Sequence, residues 1–315
     1  MKAVRSSPET NQPNPRPCPA CGSADATPRG QKNDFQLLAC EACATVYTAN
    51  FPITSPTQDY DNYYTAENLT VAAFIEKHLD EIVATFEPYR KNNRLLDVGC
   101  GAGTFLQAAA RAGWEGAGVE VSQTAAAHLR EHGFEVFCGE LEKAGYSDGH
   151  FDVVIASEVV EHVRDPKAIF GEIARVLRPG GLLWATTPHG RGISARLLKT
   201  KWSIVCPPEH LQLFSVAGIR KLLGEVGFRN VKVATHGTNP FEILHTLRSR
   251  AKPAPPDIDA GAGAEAAEHF NRVETGYQLN EFLTDSPSRK VLKGALNKML
   301  NTGRIGDTLK IRAEK

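Results

Sequence analysis

Four cysteines, a glycine-rich turn and a Glu-x-x-Glu-His run are the parts of this chain equipped for chemistry. Cys18, Cys21, Cys40 and Cys43 form two Cys-x2-Cys pairs separated by eighteen residues. Each pair turns two thiolates toward one side of a tetrahedral ion, the four-sulfur pattern of a zinc ribbon. Pro19 and Gly22 suit the tight turns this needs. Metal binding would supply folding free energy that so short a segment cannot obtain by burial. A four-thiolate site is closed to substrate, so the expected role of this zinc is structural. Farther along, Asp97-Val98-Gly99-Cys100-Gly101-Ala102-Gly103 follows an apolar run and precedes a helical pattern. Glycines let a ligand approach the main chain, and a helix N-terminus offers amides to an anion. Glu120 stands 21 residues after Gly99, where a carboxylate hydrogen-bonds ribose hydroxyls. By itself this loop indicates a nucleotide-type cofactor, although its third glycine comes one residue early for the nicotinamide fingerprint.

The third constellation is Glu158-Val159-Val160-Glu161-His162, with His210 in the later run PPEHLQLFS. On a helical turn positions i, i+3 and i+4 share a face, so Glu158, Glu161 and His162 are expected to point together. Two carboxylates with two imidazoles suit a manganese ion, and a magnesium ion less comfortably. The alternative is that Glu161 and His162 cap and orient the loop while His210 serves as a general base or a packing residue.

The elements that must hold these groups alternate. RLLDVG, GAGVEV, FEVFCG and DVVIAS read as strands, with TFLQAAARAG and SQTAAAHLREHG as helices between them. This rhythm predicts βαβ units and a parallel sheet. It continues through the helix KAIFGEIARVL, a turn at RPGG, the strand LLWATTP, the helix AGIRKLLGEVG and the strand NVKVATH. Ahead of it, Val71, Phe74, Ile75, Leu79, Ile82 and Phe86 sit at helical spacing in Ala66 to Tyr89, after an aromatic cluster from Asp59 to Tyr64. Residues 250–263 have linker composition. Val291, Leu292, Ala295, Leu296, Met299 and Leu300 then share one helix face, and GDTLKIRAEK alternates like a strand. The expected organisation is a flexible tail over 1–17, a zinc ribbon over 18–55 and a main domain over 56–315.

From about Leu95 to Val233 the chain resembles the class I S-adenosylmethionine-dependent methyltransferases, through LLDVGCGAGTFL, GVEVS, FDVVIASEVVEHVRDP, LRPGG and PPEHLQLFS in that order. The resemblance implies a Rossmann-like α/β sheet of seven strands, the last antiparallel and inserted between the fifth and sixth. GDTLKIRAEK would be that strand, and 241–302 a mainly helical insertion before it. It also implies that Asp97, Gly99, Gly101 and Gly103 hold the methionine part of the cofactor, Glu120 the ribose, and Glu140 and Leu141 the adenine, with Ser157 at the end of the fourth strand beside them. The Glu158, Glu161, His162, His210 set resembles the metal site of ubiquinone-biosynthesis O-methyltransferases and of small-RNA 2'-O-methyltransferases, where a divalent ion grips vicinal oxygens.

The ribbon, YDxxYY, TTPHG and PPEHLQLFS together resemble sugar-tailoring methyltransferases, which implies a small-molecule or glycan acceptor. An RNA substrate is the second expectation, because ribbons also front some RNA methyltransferases. Lys plus Arg and Asp plus Glu number 36 each, so the chain lacks the positive field that steers proteins onto nucleic acid. A non-catalytic binding module and a nicotinamide oxidoreductase fit the glycine loop and Glu120 less well. No apolar run reaches the roughly 18 residues of a membrane span, and the N-terminus lacks the apolar stretch of a secretory signal. Cytoplasmic residence is expected. Cys100, Cys138 and Cys206 are expected to be small buried hydrophobes.

Overall fold

Strand β4 of the main domain, Arg94–Val98, is apolar on both faces, as a central parallel strand must be. The computed structural model describes residues 15–51, 73–251 and 286–315. The aromatic cluster at 59–64, the start of the helix predicted from Ala66, most of the tail and the linker at 252–263 lie outside them.

Eleven strands are described. Three precede the main domain: β1 (Ala26–Lys32), β2 (Phe35–Cys40) and β3 (Val46–Thr48). After β4 come β5 (Glu115–Glu120), β6 (Glu135–Cys138), β7 (Phe151–Ser157), β8 (Leu177–Pro188), β9 (Gln212–Leu213), β10 (Arg229–His236) and β11 (Thr308–Glu314). Seven of them form one sheet in the order β10-β11-β8-β7-β4-β5-β6. The pairs from β8 through β6 are parallel, and β11 runs antiparallel to both β8 and β10. This is the expected architecture, with the alternating tail inserted between the fifth and sixth strands.

The helices are α1 (Ala73–Ala84), α2 (Thr104–Arg111), α3 (Gln123–Glu131), α4 (Pro166–Val176), α5 (Ile193–Leu198), α6 (Val216–Glu225), α7 (Pro240–Ala251) and α8 (Pro287–Thr302). Side chains dictate several starts. Ser122, Asp165 and Ser215 accept from first-turn amides of α3, α4 and α6, and Pro166 is preset for the first turn of α4. Leu79, Ile82, Val83 and Phe86 pack with Phe105, Leu95, Ile155 and Trp184 on one sheet face. Ile169, Phe170 and Ile173 of α4 with Ile219, Leu222 and Leu223 of α6 cover the other.

Three details differ from the sequence reading. RPGG is a bulge inside β8, not a turn before it: Phe151 pairs with Leu177 and Val153 with Leu182, so five residues oppose two. The helix before β4 ends at Ala84 and is followed by a 3-10 turn at Glu87–Tyr89, instead of running on as a single helix to Tyr89. The ribbon also recruits a strand from the main domain, because β9 pairs with β3 to complete a sheet β1-β2-β3-β9. Among the described residues no helix is long and apolar enough to cross a membrane.

Candidate active site

The glycine turn leaves β4 at the carboxyl edge of the sheet, where ligands of such folds bind. Gly99, Gly101 and Gly103 have φ of +68°, +49° and +73°, a region that residues with a Cβ adopt reluctantly. A Cβ on Gly99 would also stand 2.6 Å from Val159, so the glycine turn and the Glu158–His162 segment touch. Asp97 is buried at the end of β4. Burial, then the charge of Glu120, holds its carboxyl well above the usual range. Glu120 accepts from the Gly101 amide at 2.9 Å through Oε2 and from the Ser122 amide at 2.9 Å through Oε1. Both oxygens brace the two turns that would surround a nucleoside.

Leu141 is buried in the 3-10 turn after β6, whereas Glu140 points outward to Lys143 at 2.7 Å. Ser157 ends β7 with its Oγ 2.9 Å from Thr186 Oγ1. Cys100 is buried, and Cys138 and Cys206 are partly buried.

Glu158 has φ +54°, is exposed and directly precedes the turn that His162 closes by donating its amide to the Val159 carbonyl. Its negative charge still acts on Glu161, whose fully buried carboxyl is raised well above the usual range by burial first and Glu158 second. The turn brings Glu161 and His162 together with His210, one ligand atom from each lying within 4.8 Å of the others. Glu161 Oε2 accepts from the Thr187 hydroxyl at 2.9 Å, while Oε1 is buried with no hydrogen-bond partner. His162 and His210 donate through Nδ1 to the carbonyls of Glu209, at 3.0 Å, and Ile204, at 2.7 Å. A carbonyl only accepts, so this choice makes Nε2 the basic nitrogen of both rings. The rings sit 4.6 Å apart, and burial, then His210, pushes His162 down to about 4. Thr187 is a residue the sequence reading missed; it lies in the same TTPHG run as His189.

The four ribbon sulfurs also cluster within 4.8 Å, with Cys18 and Cys43, and Cys21 and Cys40, 3.5 Å apart. Tetrahedral zinc with bonds of about 2.3 Å spaces its sulfurs by about 3.8 Å, so this set fits the ion.

The sequence pattern of the family described as a methyltransferase domain matches residues 71–233, just over half of the chain. The chain belongs to that family. A ubiquinone biosynthesis O-methyltransferase of Methylococcus capsulatus is 36% identical over 112 residues, 33% of this chain and 47% of that enzyme. The chain thus spans about half the length of that curated relative. A probable S-adenosylmethionine-dependent methyltransferase of Mycobacterium tuberculosis is 25% identical over 272 residues, 82% of this chain and 93% of the relative. Among solved structures, a phosphoethanolamine N-methyltransferase of Haemonchus contortus in complex with S-adenosylmethionine superimposes with a TM-score of 0.51 at 18% identity. That alignment covers 86% of this chain and 62% of the other, and it shares the fold.

Proposed function

We propose that this chain transfers the methyl group of S-adenosylmethionine to a hydroxyl of a small acceptor, a sugar or glycan, beside a divalent cation. The observation that carries the proposal is the convergence of Glu161, His162 and His210, with both imidazoles turned to present Nε2, on a turn that touches the glycine loop. The O-methyltransferase relative supports an oxygen acceptor. In this reading Asp97 and the glycine amides hold the amino-acid end of the donor, Glu120 its ribose and Leu141 its adenine. Ser157 borders the donor, and Glu140 stays at the rim.

The orphaned Oε1 of Glu161 and the two Nε2 atoms form a donor set suited to manganese more than to magnesium. Bound there, such an ion would lower the pKa of an acceptor hydroxyl. Thr187 fixes the Glu161 carboxylate, and the Glu209 and Ile204 carbonyls fix the imidazoles. Zinc at Cys18, Cys21, Cys40 and Cys43 serves the fold.

The test is methyl transfer from labelled donor to a panel of nucleotide sugars, glycans, phenols and RNA, with and without chelator, while ribbon zinc is followed by metal analysis. Glu161→Gln should lower kcat/KM by about 100-fold, ~2.7 kcal/mol, with S-adenosylhomocysteine affinity kept. Full activity in chelator with the ribbon zinc retained would refute the metal role.

A further inference from the structure

Beyond the last strands of the sheet, basic side chains from four elements converge on one place. In the β10/β11 pairing Ala234 lies opposite Lys310 and His236 opposite Thr308. With side chains alternating along each strand, His236 and Lys310 are diagonal neighbours on one face. Trp184 and Thr186 of β8 share that face, since they pair with Arg312 and Lys310, and Lys310 Nζ lies 5.8 Å from the Trp184 ring. Helix α8 brings Lys293, one turn before Asn297, which accepts from the amide of Gly237 directly after His236. Helix α1 brings His78 from the helix that packs its Leu79 and Ile82 against Trp184. Burial, then the charges of Lys310, His78 and Lys293, pushes the His236 imidazole down to about 4, and Lys310 and Lys293 act on His78 as well. Among the described residues, the carboxylate that faces this group is Glu81, 3.8 Å from His78 and also acting on Lys293. One polar atom of the group is itself unpaired: His236 Nδ1 is buried with no hydrogen-bond partner.

The Lys310 and Lys293 ammoniums beside two imidazoles and a buried unpaired polar atom favour an anion held among them. The cluster shares a sheet face with the donor end of the proposed site, and Thr187, which holds Glu161, is the next residue of β8 after Thr186 and faces the other way. Lys310 pairs with Thr186, Thr186 meets Ser157, and Ile155, two residues before Ser157, pairs with Asp97, all on the same sheet face. From β7 to β10 the path crosses three strand spacings, roughly 14 Å, comparable with a hexose joined to a diphosphate bridge.

We propose that His78, His236, Lys293 and Lys310 form an anion seat for a phosphate or diphosphate carried by the acceptor, which holds the acceptor while its hydroxyl is presented for methylation. This rests on the methyltransferase reading above and specifies its substrate as a phosphate-linked sugar. A nucleoside diphosphate sugar and a lipid-linked sugar phosphate offer the same group.

The experiment is calorimetric titration of the full chain, first with S-adenosylhomocysteine, then with inorganic pyrophosphate, a uridine diphosphate sugar and a short prenyl diphosphate. Pyrophosphate should bind, and Lys293→Gln and Lys310→Gln should each weaken it at least about tenfold, with S-adenosylhomocysteine affinity unchanged. Tighter binding of the uridine compound identifies a nucleotide sugar, and tighter binding of the prenyl compound a lipid carrier. Lys293 lies on a partly exposed helix, so its variant keeps the test open if Lys310→Gln fails to fold. No binding of pyrophosphate at millimolar concentration, or equal binding by wild type and Lys293→Gln, overturns the seat. Failure to bind S-adenosylhomocysteine would instead strike the methyltransferase reading, with the pyrophosphate titration still judging the seat.

Discussion

His189 shows how a residue next to the site reports on the fold. It follows β8, is almost fully buried and donates through Nδ1 to the Gly306 carbonyl at 2.8 Å. Burial is the main cause that pushes its imidazole down to about 4. In the unfolded chain the same ring titrates near 6.5. Below 6.5 the unfolded state therefore gains a proton that the folded state refuses, and stability falls until the folded value is reached. His189→Asn, which keeps a donor near the Nδ1 position, should flatten the loss between pH 6.5 and 4 by at most about 3 kcal/mol in urea unfolding. Parallel stability curves for the two proteins would show that His189 is not a source of the acid sensitivity. The chemistry-bearing residues divide in a similar way by how local their signals are. Gly99, Gly101 and Gly103 were legible because backbone conformation alone demands them. Glu161, His162 and His210 were legible as residue types, but their tautomers depend on the Glu209 and Ile204 carbonyls, which no side-chain pattern reveals. Glu158 differs in its backbone: a left-handed angle, invisible in Glu-x-x-Glu-His, sets it just before the turn, from where its side chain still acts on Glu161.

At the scale of elements, the strands of the large sheet were legible because each carries its own burial signature. RLLDV and FDVVIAS are apolar on both faces, and TLKIRAE alternates because α8 and α1 leave its other face half open. The two-residue β9 has no such signature, since its existence depends on β3 lying alongside. Helix α8 is the clearest case in which the pattern pointed the wrong way. Its apolar residues share a face as predicted, yet Val291, Leu292, Leu296 and Met299 are 73%, 62%, 41% and 70% exposed, and only Leu300 of the large ones is buried. The helix docks instead through amide side chains: Asn301 accepts from the Thr235 amide at 2.9 Å and Asn297 from Gly237 at 3.1 Å. Sequence treats Val291 and Leu300 as equivalent, whereas the packing does not. Leu300→Ala should cost about 2–5 kcal/mol, Asn301→Ala about 1, and Val291→Ala less than about 0.5. A Val291→Ala penalty as large as that of Leu300→Ala would contradict this docking.

Across the whole molecule, the ribbon and the main domain are joined by β9, which the main domain lends to the ribbon sheet, and by a common core. Cys18, Ala20, Leu38 and Tyr47 belong to the same apolar cluster as Val216, Ile219 and Leu222. Ser215 donates its hydroxyl to the Cys43 carbonyl, and Gly218 leaves room for Thr45 where a Cβ would collide. Arg16, assigned to the tail by its proline-rich surroundings, donates to the Thr48 and Leu211 carbonyls, at 2.7 Å each, and so ties the ribbon to the residue next to His210. β9 begins two residues after His210, and β3 holds it in register, Tyr47 against Gln212 and Val46 against Leu213. The Leu211 amide in turn donates to the Glu161 carbonyl at 2.8 Å. Through these contacts the thiolate site at Cys18–Cys43 is linked to where His210 stands relative to Glu161 and His162. Cys40→Ser should release zinc, lower Tm by about 10 °C for a loss of about 3 kcal/mol, and weaken manganese binding as well. Two readouts separate placement from simple instability: manganese affinity measured well below Tm, and recovery of that affinity in Cys40→His, an alternative zinc ligand. If Cys40→Ser loses its zinc yet binds manganese within twofold of wild type, the ribbon has no part in placing His210. If affinity falls with zinc and returns with Cys40→His, the ribbon metal positions the reaction site through β3 and β9.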